Sequence, residues 1–289
     1  MKYQIEAIRL IKGDENQLFG AIYSGIDCVN NQKIIIKKVA QSNLKGIEAL
    51  HREFTFKFNY AAFPEYLDLI ENDDELILIS KFKDGERLDV FWKQIRRKDQ
   101  ISTLKQIISA LKPLMEEIEK QKIAHCDIKP SNILVYKNDD NLQLTLIDFG
   151  MAIPFYFEGE RKLRFPLGYA APELILNHLD LVNQKTDVFA IGTMIWKLFA
   201  DKMPLSHRNP SIYTNLQLNL PLPEDDNISK KLLNILNEAT KKHNFRIPPN
   251  LMRHEDVKGN LQNAIYERYS FERLHNEILD VSEKKLWFF

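Results

Sequence analysis

The first forty residues alternate short apolar runs with residues that favour turns. The turn-forming positions are Gly13, Gly20, Gly25, Asn30 and Asn31. Short apolar runs bounded by such residues are typical of strands joined by tight connections. A β-branched run at 34–36 ends this region and leads into Lys37 and Lys38. The pattern predicts a meander of antiparallel strands.

The hydrophobic period changes at residue 44. From 44 to 59, apolar residues recur three and four positions apart, at Ile47, Leu50, Phe54 and Phe58. This spacing places them on one face of a helix, so the segment is predicted to be an amphipathic helix. Residues 76–80 are again typical of a strand, and Asp84 and Gly85 then interrupt the pattern.

Beyond residue 88 the pattern is mainly helical, most clearly over 101–122 despite Pro113. The exception is 133–149, where two apolar runs flank a polar centre, as in a hairpin. The chain is therefore predicted to be an α+β protein with a strand-rich part of about 85 residues before a larger, mainly helical part. We find no internal repeat and no low-complexity linker.

Composition narrows the functional classes. A chain of 289 residues can form one large domain or two lobes sharing a cleft. Lys plus Arg and Asp plus Glu are 40 each, so no global field favours nucleic acid or an anionic membrane as a partner. Neither an apolar signal region nor a stretch of about 18 apolar residues occurs, which predicts no membrane span.

Only Cys28 and Cys126 occur, which is too few for a disulfide framework. We therefore expect a reducing, cytoplasmic compartment. An uncleaved signal for another export route, as in a bacterial effector delivered into a host cell, stays open as the alternative.

The candidate chemistry is concentrated in two motifs. Residues 125–132 read H-C-D-I-K-P-S-N, and residues 148–150 read D-F-G. Either could be a polar turn, but their order and interval resemble the catalytic loop and the metal-binding D-F-G of serine/threonine protein kinases. The resemblance implies a bilobal fold, with a small antiparallel-sheet N-lobe carrying one helix and a larger, mainly helical C-lobe. The corresponding ranges are 1–83, 84–255 and a C-terminal helical extension, 256–289.

The resemblance implies a role for each polar residue of these motifs. Asp127 would orient the substrate hydroxyl and accept its proton, and Lys129 would contact the transferred phosphoryl group. Asn132 and Asp148 would supply the oxygen ligands that Mg²⁺ prefers, so ATP and Mg are the expected cofactors. The residues expected to support these motifs structurally are His125, Phe149 and Gly150.

Residues 34–37 read I-I-I-K and resemble the V-A-I-K strand whose lysine binds the α- and β-phosphates of ATP. Adjacent side chains on a strand point to opposite faces, so only one of the two lysines can face the phosphates. Lys37 is favoured for that role, and Lys38 is expected to meet solvent. Glu53 is the expected helix partner of Lys37, since Glu48 lies only eleven residues after it. A solvent-facing role for Glu53 is the alternative.

The glycine-rich loop departs from the family pattern. Aligned on G-x-G-x-x-G-x-V, Gly20 and Ile22 match the last two positions, whereas Glu15 and Gln17 replace the first two glycines. Glycine lets backbone approach phosphates closely, so a stiffer or more distant loop is predicted, with Gly13 as a shifted hinge.

Residues 77–85 resemble the last strand and the hinge that binds adenine through backbone groups. This assigns Ser80 to the gatekeeper position and Lys81 and Lys83 to the adenine-binding hinge. A small gatekeeper predicts that bulky adenine analogues bind well.

Residues 168–173 read G-Y-A-A-P-E and resemble the end of the activation segment. The resemblance implies that Glu173 pairs with a buried arginine, and Arg246 is the predicted partner. Asp187 is expected to brace the catalytic loop by accepting its backbone amides. All three are predicted to be structural supports.

Two departures bear on regulation. Cys126 replaces the arginine that pairs with an activation-loop phosphate in the family, and Tyr156 carries the only hydroxyl in 151–168. Activity is therefore predicted not to depend on phosphorylation of this loop. A small buried filler is favoured for Cys126 over a redox sensor.

The predicted function is transfer of the γ-phosphoryl group of Mg-ATP to Ser/Thr hydroxyls of proteins, with Lys129 as the signal for the serine/threonine class. A pseudokinase scaffold is the first alternative, supported by the degenerate glycine loop. A small-molecule kinase is the second, although such enzymes usually lack the A-P-E segment and its supports. The tail is expected to cover the C-lobe or to dock a partner protein.

Overall fold

In the computed structural model, residues 3–14, 20–138, 141–159, 165 and 167–282 are described. The chain divides into two compact units, one formed by Met1–Gly85 with Thr145–Ala152 and the other by Glu86–Leu144 with Ile153–Phe289. The predicted α+β class is confirmed: the first unit contains an antiparallel sheet with one helix, and the second is mainly helical.

A five-stranded antiparallel sheet forms the first unit, in the order β1-β2-β3-β5-β4. Its strands are β1 Ile5–Gly13, β2 Ala21–Asp27, β3 Gln32–Ala40, β4 Tyr66–Glu71 and β5 Glu75–Lys81. Helix α1, Leu44–Thr55, connects β3 to β4. Side chains alternate along β3, so Ile34 and Ile36 pack on one face while Val39 packs on the other against Leu50 of α1.

Helix α1 begins where Asn43 accepts a hydrogen bond from the backbone N–H of Gly46, as an N-cap does. It ends at Thr55, earlier than the predicted 59, because Phe56 adopts an extended conformation. Phe56 and Phe58 stack on one another and reach the ring of Phe149. Aromatic burial thus replaces the last predicted turn of helix.

The second unit contains eight further helices in its described residues. They are α2 Leu88–Lys93, α3 Gln100–Lys120, α4 Pro172–Ile175, α5 Gln184–Ala200, α6 Pro210–Asn219, α7 Lys230–Ala239, α8 His254–Glu267 and α9 Phe271–Leu279. The short strands are β6 Glu86–Arg87, β7 Ile123–Ala124, β8 Ile133–Asn138, β9 Asn141–Leu146 and β10 Ile153–Pro154. They form two small sheets, β6-β8-β9 and β7-β10.

Helix α5 is buried along most of its length and begins with a capping box between Asn183 and Thr186. Helix α9 contacts α3, α5 and α7. Helix α3 corresponds to the predicted helical run and contains Pro113 in its interior. Over the part of the chain that the structure describes, no helix has the length and apolar character required to cross a bilayer.

Candidate active site

In the first unit, Lys37 lies between two carboxylates. Its Nζ is 2.8 Å and 2.7 Å from the two carboxylate oxygens of Glu53, and 2.9 Å from Oδ1 of Asp148. The Glu53 side chain is 2% exposed and that of Lys37 13%. Burial acts to lower the pKa of Lys37, but the charges of Asp148 and Glu53 outweigh it and raise that pKa above its usual value. Lys37 is therefore a fixed cation.

The neighbouring charges follow from strand and helix geometry. Lys38 points to the opposite face of β3, is 28% exposed and pairs with Glu75 at 3.0 Å. Glu48, which precedes Glu53 by more than one turn of α1, pairs with Arg52. Glu53 receives one further hydrogen bond, from the hydroxyl of Tyr66 at 3.0 Å.

Glycine is required at both ends of the predicted phosphate loop. Gly13 and Gly20 have φ of +84° and +65°. A Cβ at Gly20 would lie 2.1 Å from the carbonyl oxygen of Lys38, and one at Gly13 would lie 2.2 Å from that of Gly20. Ile22 lies opposite Lys37 in the β2–β3 register. Glu15 and Gln17 lie outside the described residues.

The residues assigned to the hinge lie at the end of β5. Ser80 is 9% exposed and pairs with Ile35 across the β3–β5 ladder. The Lys81 N–H donates to the carbonyl of Glu65, whereas the ammonium group of Lys83 donates to the carbonyl of Ala61 at 3.0 Å. Burial lowers the pKa of Lys83.

Phe149 anchors the D-F-G turn in a cluster of rings. Its centroid lies 4.6 Å from that of Phe58 and 5.8 Å from that of Phe63, and the rings of Phe58 and Phe63 stack at 4.3 Å. Asp148 immediately before it has a φ of +70°, and its side chain is 39% exposed. Gly150 packs near Ala49 and Glu53 of α1. The cluster therefore fixes the backbone from which the Asp148 carboxylate projects.

In the second unit, Asp127 is held by the other polar residues of its motif. Its Oδ2 accepts hydrogen bonds from Nζ of Lys129 at 2.6 Å and from the amide nitrogen of Asn132 at 2.9 Å. The same Asn132 nitrogen donates to the backbone carbonyl of Asp127 at 2.9 Å. Asp127 and Asn132 are each 5% exposed. The carboxylate is thus held by charged and neutral donors, in a largely buried position.

Asp187 braces this loop from the start of α5. Its two carboxylate oxygens accept the backbone N–H groups of His125 at 2.8 Å and Cys126 at 2.9 Å. Burial raises the pKa of Asp187 to about 7, against the opposing effect of these two hydrogen bonds. Nδ1 of His125 in turn accepts the N–H of Asp127. Cys126 is 4% exposed and adopts a φ of +61°.

The predicted pairing of Glu173 with Arg246 is wrong. Arg246 is exposed, and Glu173 pairs instead with Arg268 at 2.7 Å, both side chains being no more than 1% exposed. Arg268 follows α8 and also donates to the carbonyls of Lys185 and Lys241. A buried guanidinium needs hydrogen-bond acceptors, and at position 268 it meets four acceptor atoms. The guanidinium also lies over the Phe189 ring.

Sequence reasoning missed two residues of these sets, Arg268 and Tyr66. Arg268 stands two positions before Ser270, the N-cap of the amphipathic helix α9, and this pattern could have marked it as an ordered position. Tyr66 begins a strand among several aromatic residues, and we find no sequence signal that would have singled it out.

Two of the predicted ligand residues, one in each unit, carry oxygen atoms of the kind that Mg²⁺ prefers. Asn132 uses its amide nitrogen in both of its hydrogen bonds, which leaves the carbonyl oxygen as its ligand atom, and Asp148 offers a partly exposed carboxylate. Within the described ranges, no group of three or more His, Cys, Asp or Glu side chains is arranged for a metal ion. Mg²⁺ commonly uses one or two protein oxygens together with substrate phosphates and water, so either residue is of a suitable type without a cluster of protein ligands.

Comparison with known proteins places the motifs in a family. A family model described as "Protein kinase domain" matches residues 18–253. The serine/threonine-protein kinase dkf-2 of Caenorhabditis briggsae is 22% identical over 290 residues, covering 96% of this chain and 22% of that protein. A probable L-type lectin-domain containing receptor kinase, VI.1, of Arabidopsis thaliana is 30% identical over 209 residues, covering 66% of this chain and 28% of that protein.

A third relative is the serine/threonine-protein kinase cds1 of Schizosaccharomyces pombe, 28% identical over 192 residues, with 63% of this chain and 40% of that protein covered. The chain thus spans less than half the length of these relatives. The family model, however, covers most of the chain and includes both catalytic motifs. This chain therefore belongs to the protein kinase family.

Proposed function

We propose that this chain is an active serine/threonine protein kinase that transfers the γ-phosphoryl group of Mg-ATP to hydroxyls of protein substrates. The observation that carries the proposal is the hydrogen-bonded set formed by Asp127, Lys129 and Asn132. Buried carboxylates are costly unless they are paired, so a set of this kind on a loop favours a chemical role. The relatives at 22% to 30% identity are named as kinases.

In the proposed mechanism, Asp127 orients the substrate hydroxyl and takes its proton as the oxygen attacks the γ-phosphorus, while the bond from that phosphorus to the β,γ-bridging oxygen breaks and ADP leaves. Lys129, hydrogen-bonded to the same carboxylate, neutralises charge on the transferred group. Lys37 stays protonated because two carboxylates raise its pKa, and it binds the α- and β-phosphates. Asn132 and Asp148 are the residues that would hold Mg²⁺, which supplies charge neutralisation on the phosphate oxygens when bound. Backbone groups at Lys81 and Lys83 would bind adenine.

We further propose that activity does not require phosphorylation of residues 151–168. The start of this segment is held by backbone bonding: Ile153–Pro154 pairs with Ile123–Ala124, and the N–H of Tyr156 donates to the carbonyl of Val182. Cys126, which takes the place of a phosphate-binding arginine in the family, is buried and has no guanidinium group to offer a phosphate. Because backbone hydrogen bonds already order the start of this segment, a phosphate group is not required to order that part.

The first experiment is transfer of labelled phosphate from Mg-ATP to a generic protein acceptor. Wild type should transfer label, whereas folded Asp127→Ala and Asp148→Ala variants should transfer none. Lys37→Met should lose at least about 100-fold in kcat/KM, as expected when a charge-stabilising group is removed. Lys38→Met is the matched control and should keep wild-type activity, since its ammonium group pairs with Glu75 on the other face.

A folded wild type that binds Mg-ATP and transfers nothing to protein would overturn the proposal in favour of a scaffold. Label appearing only in small alcohols or amino sugars would favour a small-molecule kinase.

The claim about regulation is tested with Tyr156→Phe. Tyr156 is 63% exposed, so the substitution removes the one hydroxyl of the segment while leaving its packing intact. We expect kcat within about twofold of wild type, since exposed substitutions away from special features have small effects. A large loss of activity would contradict phosphorylation-independent activity.

A further inference from the structure

Tyr66, the first residue of β4, places its hydroxyl between two elements of the first unit. The hydroxyl donates to Oε1 of Glu53 on α1 at 3.0 Å. The backbone of Phe149, in the turn that follows Asp148, also interacts with this hydroxyl. The ring packs against the cluster formed by Val39, Leu50, Leu76 and Leu78. One hydroxyl thus bridges a helix side chain and the backbone of the D-F-G turn.

Glu53 needs such a restraint because of its place on the helix. It lies two residues before α1 ends at Thr55, and terminal turns fray more readily than helix interiors. Glu53 is 2% exposed, and among the described residues its carboxylate receives side-chain hydrogen bonds from Lys37 and Tyr66. Lys37 on β3 shares its ammonium group between Glu53 and Asp148, whereas the Tyr66 hydroxyl ties Glu53 to β4.

We propose that Tyr66 is a positioning residue, whose hydroxyl fixes Glu53 and the D-F-G backbone relative to each other and thereby sets the direction of the Lys37 ammonium group. This rests on the proposed function, in which Lys37 binds the phosphates of ATP. A phosphate clamp that is misplaced by a fraction of an ångström loses rate, because the chemistry depends on alignment. Ring packing alone would not supply this restraint, since only the hydroxyl reaches Glu53.

The hydroxyl must stay protonated to act in this way. Burial and the adjacent Glu53 raise the pKa of Tyr66 well above its usual value. It therefore remains a donor to Glu53 throughout the neutral range. A raised pKa of Tyr66 agrees with the geometry, because a buried phenolate beside the Glu53 carboxylate would be strongly disfavoured.

The test compares Tyr66→Phe with Tyr60→Phe. Tyr60 is 42% exposed and its ring lies tilted against that of Phe63 in the same unit, at 6.0 Å between centroids, so its variant loses the hydroxyl and keeps the ring. We expect Tyr66→Phe to lower kcat about tenfold, the loss typical of one hydrogen bond to a charged group, with KM for the protein substrate within about twofold. Tyr60→Phe should match wild type. An unchanged kcat in folded Tyr66→Phe would overturn the positioning role.

A second measurement does not depend on turnover. Thermal unfolding of wild type, Tyr66→Phe, Glu53→Gln and the double variant forms a cycle in which contacting groups give non-additive shifts. We expect the double variant to lose clearly less stability than the sum of the single losses. Additive shifts would overturn the proposed contact. A wild type without turnover would remove the proposed function alone, and the cycle would still decide whether Tyr66 holds Glu53.

Discussion

Two arginines of the second unit have opposite environments. Arg268 is 2% exposed and surrounded by the carboxylate of Glu173 and the carbonyls of Lys185 and Lys241, whereas Arg246 is exposed. Removing one partner from a buried ion pair leaves an uncompensated charge in a place that water does not reach. The same substitution at Arg268 and at Arg246 therefore compares the loss of a buried guanidinium with the loss of an exposed one.

We expect Arg268→Met to lower the free energy of unfolding by about 3–5 kcal/mol, because the buried Glu173 carboxyl would lose its ion-pair partner. Arg246→Met should change it by no more than about 0.5 kcal/mol. Urea unfolding of the two variants and wild type measures both values. Equal losses would show that Arg268 is not the partner that matters to Glu173.

A partly buried lysine, Lys242, predicts a pH dependence of stability. Nζ of Lys242 donates to the carbonyl of Gln217 at 2.8 Å and lies 5.5 Å from the centroid of the Phe189 ring. Burial, assisted by the charge of Arg268, lowers the pKa of Lys242 to about 7. The unfolded value is about 10.4, so the unfolded chain binds more protons between these two pH values.

The contribution of Lys242 to the free energy of unfolding should therefore rise as pH increases from about 7 to about 10, and should be lost as pH falls through about 7. Lys242→Met removes this titration while keeping the length of the side chain. Chemical unfolding at fixed temperature measures the free energy of unfolding of wild type and variant at each pH. We expect the difference, wild type minus variant, to increase over this range. A difference that stays flat with pH would contradict the lowered pKa.

At the scale of elements, α9 belongs to the packed interior of the second unit although the family model ends at residue 253. Its apolar face buries Phe271, Leu274 and Ile278, whereas Leu279 is 37% exposed. The side chain of the N-cap Ser270 accepts a hydrogen bond from the N–H of Arg273. This bond fixes the start of the helix at Phe271, shortly after Arg268. The helix therefore carries both apolar packing and the placement of the buried arginine.

Two leucines of α9 test this packing with identical chemistry. Leu274 is 0% exposed, so Leu274→Ala should lower the free energy of unfolding by about 2–5 kcal/mol through lost burial and a residual cavity. Leu279→Ala should cost no more than about 1 kcal/mol because that side chain is partly in solvent. Denaturant unfolding of both variants gives the comparison. Similar losses at the two positions would mean that α9 is not packed as described.

At the scale of the whole molecule, the proposed binding of Mg-ATP has a consequence for stability. A ligand that binds only the folded state stabilises it by mass action, by about 2.7 kcal/mol at 100 times its dissociation constant. Binding can thus be measured apart from turnover.

We expect Mg-ATP to raise the unfolding temperature of wild type, and chelation of Mg²⁺ to remove most of that shift because the phosphates then lose their counter-charge. Lys37→Met should reduce the shift, and Lys38→Met should leave it unchanged. Differential scanning fluorimetry with and without EDTA measures each case. An equal shift in Lys37→Met and Lys38→Met would count against Lys37 as the phosphate ligand.

The sequence by itself determined features that depend on local periodicity and on short motifs. Alternation along β3 separated Lys37 from Lys38, and helical spacing indicated α1 with Glu53 on it, because these patterns follow from backbone geometry alone. The spacing of the two catalytic motifs indicated the kinase family, which the family model supports. The α+β class followed from the change in hydrophobic period.

Only the tertiary structure decided which distant side chains meet. The family resemblance implied Arg246 as the partner of Glu173, yet burial against Phe189 and several carbonyls selected Arg268. The end of α1 at Thr55 was set by rings that pack on Phe149, and the contact between Tyr66 and Glu53 by the docking of β4 beside the helix. Buried charges and rings are satisfied by whatever the folded chain places around them, and sequence distance does not encode that neighbourhood.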